Sequence, residues 1–433
     1  MAMDGKELVE KLAKLSQVQS IKDIPQLTHA LFPGTHCPLM GAAMAVGGIK
    51  DSLIVVVGTD ECTYYTKSMT IHSEKFGGIG GRCVSVVLDD HDVTFGSAEK
   101  VQESFKEIIE EYRPQCVFLV TTCVIEIIGD DFDAISEGLS EIYGIPVLPV
   151  HTEHFKCEDH LPGLERTITV CAEMMKSCDS DNSVNLLGQR MGDFATTELY
   201  AMLQKAGVKI GLQLPCGCSV DDIKNAAAAK VNIVVNDIAL PLAQKMQEKF
   251  GIPYVYFNKF VIPEKIYEAY KNLFGYLELE LPGELEGLYQ NAREEIEKNK
   301  GELEGITYIY GNTPYAVFEM NCFLSSLGMV PQVIQTNRYT EADEPYAKEI
   351  LQYTDPYVCK AANIAPLQYV YDVLSPYLYL GHEFGNRLRQ KGIAIVHSDR
   401  ASGMLGFEVT GYLLQQLVKS VREAKEYRKE LGL

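Results

Sequence analysis

Short apolar runs that alternate with amphipathic stretches along nearly the whole chain restrict its fold more than any other feature of the sequence. The runs fall into three series. The first holds "SLIVVVG" (52–58), "CVSVVLDD" (83–90), "CVFLVTTC" (116–123) and "IPVLPVHT" (145–152). The second holds "SVNLLG" (183–188), "VKIGLQLP" (208–215), "VNIVVND" (231–237) and "IPYVYFN" (252–258). The third holds "ITYIYGN" (306–312), "VPQVIQTN" (330–337), "YLYLGH" (377–382) and "IAIVHSD" (393–399). Runs this apolar read as strands of a parallel sheet, covered on both faces by helices. The stretches between them carry the helical period. In "GSAEKVQESFKEIIEEYRP" Val101, Phe105, Ile108 and Tyr112 share one face, Ser97 is placed to cap the start, and Pro114 ends it. Three βαβ series with short connections predict an α/β chain of three Rossmann-like parallel-sheet domains. The expected divisions are an N-terminal helical segment at 1–24 and domains at 25–178, 179–300 and 301–433, with a polar helix at 283–303 as a solvated connector.

Composition narrows the function classes. The 433 residues are 46% hydrophobic and 23% charged, the makeup of a globular protein. A formal net charge of −20 argues against nucleic acid, whose phosphates call for a basic surface. The start, "MAMDGKELVEKLAKL", lacks the apolar core of a secretory signal, and no run nears the roughly 20 apolar residues of a membrane span. A cytoplasmic protein with no membrane attachment is the expectation. In that compartment the 12 cysteines read as thiols or metal ligands rather than disulfides. The chain has no Walker A motif and no nucleophile elbow, so ATP hydrolysis is not expected of it. "FGGIGGR" (76–82) leads into a strand instead of opening a helix, unlike a dinucleotide fingerprint.

The cysteines divide by position. Cys123 stands where the run 116–123 gives way to a helix start, with Gly129 and the capping candidates Asp130 and Asp131 just beyond. Cys62 follows the run 52–58 in the same way. Cys37 precedes that run, in the Gly- and Ala-rich "PGTHCPLMGAAMAVGGIKD", whose backbone has room to approach a bulky group. Ligands of open α/β sheets bind at the carboxyl ends of the strands, and helix-start N–H groups favour a thiolate there. The CxxC pairs of zinc sites are missing, whereas iron–sulfur clusters accept wide spacing if the thiolates meet in space. A small buried thiol is the competing reading for each cysteine. It is the better one for Cys116, Cys171, Cys322 and Cys359, which sit in apolar patterns. Cys83 opens a strand, and the C-x-C of "PCGCS" (215–219) is a poor ligand signal by itself. Cys157, in "HTEHFKCEDHLPG", follows the fourth run and emerges at the same edge as Cys123. His382 and His397 each end a third-series run and read as hydrogen-bonded structural histidines.

Taken together, these stretches resemble the nitrogenase component 1 family. That family includes the nitrogenase MoFe-protein subunits, their cofactor-assembly scaffold homologues and nitrogenase-like reductases. The resemblance rests on "HCPLMGAAMAVGGIKDSLIVVVGTDEC", "HDVTFGSAEKVQESFKEII", "VTTCVIEIIGDD" and "PVLPVHTEHF", then on "SVDDIKNAAAAKVNIVV", "LAQKMQEKFGIPYV", "ITYIYGNTPYAVFEMNCFLSSLGMVPQVI" and "ASGMLGFEVTGYLLQQL". It implies three Rossmann-like domains. It also implies that Cys37, Cys62 and Cys123 occupy the family's three ligand positions for an iron–sulfur cluster at a subunit interface, either [4Fe-4S] or an [8Fe-7S] P-cluster-like group. In the family's partner subunit the loop after the fourth strand sets an oxygen-bearing side chain beside an eight-iron cluster. Cys157 and Glu158 stand in that neighbourhood, so Cys157 is a further metal-ligand candidate or else a thiol outside the ligand set. The implied partners are a related subunit, in a homodimer or heterotetramer, and an ATP-dependent iron protein.

The chain also departs from the family. Val235 and Asn236 stand where the cofactor-bearing subunit has its cysteine, and Leu405 stands near that subunit's histidine. Leu164 is near the place of a second histidine, with His160 a turn away. A nitrogenase-type cofactor is therefore not expected to be held in the usual way. The resemblance implies an iron–sulfur subunit of a nitrogenase-like oxidoreductase. It would accept electrons from the iron protein and pass them to an unsaturated or organosulfur substrate, or to a cofactor on a partner chain. A non-catalytic scaffold for cofactor assembly is the alternative. An α/β small-molecule binder with purely structural cysteines is a third reading, and it predicts a colourless protein.

Overall fold

The computed structural model describes residues 4–27, 36–72, 82–157, 159–190, 192–311, 313, 315–360 and 364–433. Glu158 and the glycines of "FGGIGG" lie outside the described residues. Three sheets carry the fold. The first holds β1 (Ser52–Gly58), β2 (Cys83–Val87), β3 (Cys116–Thr121) and β4 (Val147–Val150), all parallel, in the order β2-β1-β3-β4. The second holds β5 (Val184–Gln189), β6 (Ile210–Pro215), β7 (Val231–Val234) and β8 (Tyr254–Tyr256), in the parallel order β8-β7-β5-β6. The third holds β9 (Thr307–Tyr310), β10 (Val330–Gln335), β11 (Tyr357–Cys359), β12 (Leu378–Leu380) and β13 (Ala394–Val396), in the parallel order β11-β10-β9-β12-β13.

The sheets stack through shared apolar layers. One face of the first sheet (Ile54, Val56, Phe118, Val120) joins Leu187, Leu212, Leu214 and Val234 of the second in one cluster. Helices α1 (Pro38–Gly47) and α4 (Leu161–Val170) supply its Leu39, Ala42, Val46, Leu164 and Ile168. The opposite face of the second sheet (Val184, Leu186, Val231, Ile233) joins Tyr308, Tyr310, Ile334 and Leu378 of the third, under Leu413, Leu417 and Val421 of the helix Glu408–Leu431.

Three local expectations are corrected. The N-terminal segment is not only helical. Its residues Ala13–Lys14 form an antiparallel strand on β11, and Leu8 and Leu12 pack into the outer core of the third sheet. The helix Leu285–Leu303 is not merely a solvated connector, because Leu285, Ala292 and Leu303 are buried and Arg422 of the last helix holds Glu302 at 2.8 Å. Ser97 precedes its helix but makes no side-chain cap; its hydroxyl donates to Asp130, a stronger, charged acceptor.

Candidate metal centre and adjoining cleft

The order of the first sheet reverses between β1 and β3, and such a switch point leaves a crevice beyond the strand ends. Cys62 lies in the first turn of α2 (Asp60–His72), which follows β1. Cys123 opens α3 (Cys123–Ile128), which follows β3. Cys62 is therefore brought beside Cys123, and the two thiols are hydrogen-bonding neighbours. Burial, then the Cys62 thiol, pushes the Cys123 thiol up, while the helix-start N–H groups of Val124 and Cys123 pull the other way. Cys37 caps the start of α1, with Pro38 in the first helical position. It rests with Cys62 against the same apolar cluster, and it raises the Tyr65 hydroxyl of α2, after burial. His36 Nδ1 is 2.7 Å from that Tyr65 hydroxyl. All three thiols are thus half-buried at helix starts, and none is in a disulfide.

Their arrangement suits a group larger than one ion. Among the described residues, the one set of three His, Cys, Asp or Glu ligand atoms mutually within 4.8 Å is Asp89, His91 and Asp92. That set is a helix cap already holding Lys100, at 2.6 Å from Asp92. The three cysteine sulfurs do not all lie within 4.8 Å of one another, as the ligands of one tetrahedral ion would. A donor set of cysteines at helix starts fits an iron–sulfur cluster in its chemistry.

Close backbone packing fixes the three helix starts. A Cβ on Gly58, at the end of β1, would lie 2.1 Å from Thr122 Oγ1, just before Cys123. A Cβ on Gly163 of α4 would lie 1.8 Å from the Pro38 carbonyl, and one on Gly41 of α1 would lie 1.9 Å from the His160 carbonyl. The Gly- and Ala-rich stretch after Cys37 thus brings α1 onto α4. Glu126 on α3 accepts from Thr121 Oγ1 (2.7 Å), Thr152 Oγ1 (3.1 Å) and the Glu153 amide (2.6 Å), so it ties the helix of Cys123 to the loop after β4.

Cys157 lies on that loop. Its thiol donates toward Thr152 O at 3.7 Å and accepts from Arg166 Nη1 at 3.7 Å, and Arg166 also pairs with Glu153 at 2.6 Å. Burial raises this thiol, against the pull of Arg166. Around the edge, Tyr64, Phe95, Ile127 and Phe155 are 70–76% exposed, an apolar rim on helices and loops next to the thiols.

A second cluster gathers where the carboxyl ends of the second sheet face the other two. Arg190 follows β5, Cys216 follows β6, Asp237 follows β7 and Lys259 follows β8. His160, at the start of α4, has Nε2 3.3 Å from Arg190 Nη2. The Cys216 thiol donates to the Arg190 carbonyl at 3.3 Å, and Lys259 Nζ donates to the Ser402 carbonyl of the third unit. Burial, then Arg190, lowers His160 to about 4 and Lys259 to about 8. Burial raises Cys216, opposed by Arg190 and Lys259. Asn236 accepts from the Ile238 amide as a helix cap, and Val235, Leu164 and Leu405 are core. The Leu405 loop is locked by Glu408, which accepts the Leu405 amide, and by Glu198, which accepts those of Phe407 and Glu408. Arg190 and Lys259 went unnoticed in the sequence; Arg190 comes two residues after a second-series run and Lys259 directly after another, and that is the signal they carried.

A family model described as nitrogenase component 1 type oxidoreductase matches residues 37–422. The nitrogenase iron-molybdenum cofactor biosynthesis protein NifE of Clostridium pasteurianum is 31% identical over 224 residues, 51% of this chain and 49% of that protein. NifE of Methanococcus maripaludis is 27% identical over 284 residues, 63% of this chain and 58% of that protein. The nitrogenase molybdenum-iron protein alpha chain of Methanosarcina barkeri is 24% identical over 330 residues, 72% of this chain and 62% of that protein. The chain thus spans about half to three fifths of the length of these relatives. Among solved structures, nitrogenase Cp1 at pH 6.5 superposes with a TM-score of 0.78 at 15% identity, covering 92% of this chain and 94% of that one. Nitrogenase Cp1 at pH 5 gives 0.66 at 18% identity, covering 97% of each chain. These two likenesses speak to the fold.

Proposed function

The chain belongs to the nitrogenase component 1 type oxidoreductase family, and we propose that within it the protein is an iron–sulfur scaffold subunit on which a nitrogenase-type metal cofactor is matured. The observation that carries this is the trio Cys37, Cys62 and Cys123, set at three helix starts around the switch point of the first sheet. These thiolates hold the cluster, which supplies one-electron transfer when bound. Three thiolates leave a four-iron cluster one ligand short, so the exposed rim of Tyr64, Phe95, Ile127 and Phe155 packs on a partner chain that completes it, in a homodimer or heterotetramer. Cys157 lies outside the ligand set; with Arg166 it stiffens the loop that Glu126 anchors. The scaffold role is favoured over turnover by the names of the NifE relatives, and by Asn236 and Leu405, which offer no dedicated cofactor ligand. An electron-transferring reductase supplied by an ATP-dependent iron protein is the second reading, favoured by the MoFe alpha-chain relative. The proposed compartment is the cytoplasm.

The two readings part in one experiment. The protein is purified anaerobically with whatever partner co-purifies, then incubated with a nitrogenase iron protein and MgATP. The scaffold reading expects transfer of a metal cofactor to cofactor-free nitrogenase and no substrate reduction by the protein itself. Reduction of an unsaturated or organosulfur substrate without any transfer would favour the second reading.

A further inference from the structure

Resting on the reading that Cys37, Cys62 and Cys123 hold a cluster, we propose that His36 donates an N–H hydrogen bond to a sulfur of that cluster and raises its reduction potential, with Tyr65 as the positioning residue that orients the ring. Neither side chain belongs to the three-cysteine set. His36 directly precedes Cys37 at the start of α1, and Tyr65 lies three residues past Cys62 on α2.

The imidazole is held on two sides. Its Nδ1 is 2.7 Å from the Tyr65 hydroxyl. Its ring centroid lies 6.3 Å from that of Tyr65 and 6.4 Å, edge-on, from that of His160. His160 is fixed in turn at the start of α4, where Arg190 donates to its Nε2 and Gly41 of α1 packs against its carbonyl. A ring gripped in this way has its second nitrogen oriented before any cluster binds. Cys37 acts on the same Tyr65 hydroxyl that meets His36, so the thiol and the imidazole share that neighbour.

Hydrogen accounting supplies the donor. The Tyr65 hydroxyl donates to Nδ1, and a neutral imidazole then carries its proton on Nε2. Among the described residues Nε2 forms no hydrogen bond, so one N–H is left over on a half-buried ring beside a cluster ligand. Reduction adds negative charge that spreads over the cluster sulfurs, so a donor aimed at them favours the reduced form and lifts the potential. Contact with sulfur suits the backbone better than a bond to iron. Cys37 is extended (φ −76°, ψ 168°), so its side chain and that of His36 leave the chain on opposite sides.

The test uses the full-length protein, purified anaerobically with its cluster. Iron per chain, the midpoint potential from an EPR-monitored titration, and nitrogen couplings in pulsed EPR are measured on the parent, His36→Leu, His36→Gln and Tyr65→Phe. With isotopically labelled histidine, the parent should show a weak nitrogen coupling that His36→Leu lacks. His36→Leu should keep its iron and lower the potential by about tenfold in the one-electron equilibrium, or about 59 mV. His36→Gln keeps an N–H at similar reach and should restore most of that loss. Tyr65→Phe leaves the ring unoriented and should lose part of it. A colourless parent would sink the cluster reading and the proposal together. In a coloured parent, an unchanged potential in His36→Leu, or a nitrogen coupling strong enough for an iron–nitrogen bond, would overturn the proposal alone. Loss of iron from both His36→Leu and His36→Gln would do the same. Where His36→Leu does not fold, Tyr65→Phe carries the comparison, and the parent potential in that variant would overturn the proposal.

Discussion

At the carboxyl edge of the first sheet stand Cys37, Cys62 and Cys123, and in the apolar layer beneath it Cys116, Cys171 and Cys218 are buried together; the two trios have opposite surroundings. At the edge Cys37, Cys62 and Cys123 are half-buried, beside helix-start amides and next to an exposed rim. In the layer Cys116, Cys171 and Cys218 are buried in one cluster. There burial pushes Cys116 and Cys218 up to about 12, and it raises Cys171 as well, with Cys116 and Cys218 as its neighbours. On the proposed reading, proximity alone does not make three thiols a metal site. What separates the trios is solvent access and the backbone N–H groups that favour a thiolate, both of which come from standing past the end of a strand.

The comparison can be broken at the packing that positions the edge. Gly163→Ala would drive a methyl into the Pro38 carbonyl, where only backbone can yield, and should cost about 3 kcal/mol. Chemical denaturation would read the loss, and bound iron should fall with it, since Pro38 directly follows Cys37. Gly58→Ala meets the Thr122 side chain, which can rotate, so about 2 kcal/mol is expected. Its effect on iron should exceed its effect on stability, because Cys123 moves with Thr122. Stability lost with iron unchanged would show that the edge tolerates displacement.

Glu126 sharpens the same contrast. Glu126→Ala leaves the Thr152 hydroxyl and the Glu153 amide without their acceptor, while Thr121 keeps the Val150 carbonyl at 3.2 Å, and should cost about 2 kcal/mol. Glu126→Gln keeps an acceptor oxygen and should cost less, with iron content following the same order. In the layer beneath, Cys116→Ala removes one sulfur from close packing and should cost about 1 kcal/mol while iron stays at the parent value.

Much of the sheet architecture was legible because it rests on local signals. Runs such as "SLIVVVG" and "VNIVV" are buried throughout and apolar but for Ser52 and Asn232, and a strand covered on both faces has little freedom to be otherwise. Cys123 was legible for the same reason, being one step past such a run. The six-residue helix that Cys123 opens was missed, since it is too short to display a period. Cys37 was marked by its Gly- and Ala-rich surroundings ahead of a strand, but its place beside α4 was not legible, because it depends on contacts of α1 with distant α4. The Ser97–Asp130 bond and the N-terminal strand on β11 are likewise long-range pairings that leave no periodic trace. The cleft was the least legible part. Arg190, Cys216 and Lys259 each look like an ordinary strand-end residue until the second sheet sets them side by side.

The central claim is that position at the strand end, not proximity among thiols, makes the cluster site. Iron and acid-labile sulfide per chain, measured after anaerobic purification of the parent, of Cys37→Ala, Cys62→Ala and Cys123→Ala, and of Cys116→Ala, test it most directly. The account predicts a coloured parent, at least half of the iron gone from each edge variant, and full iron in Cys116→Ala. A colourless parent, or edge variants that keep all their iron, would contradict it.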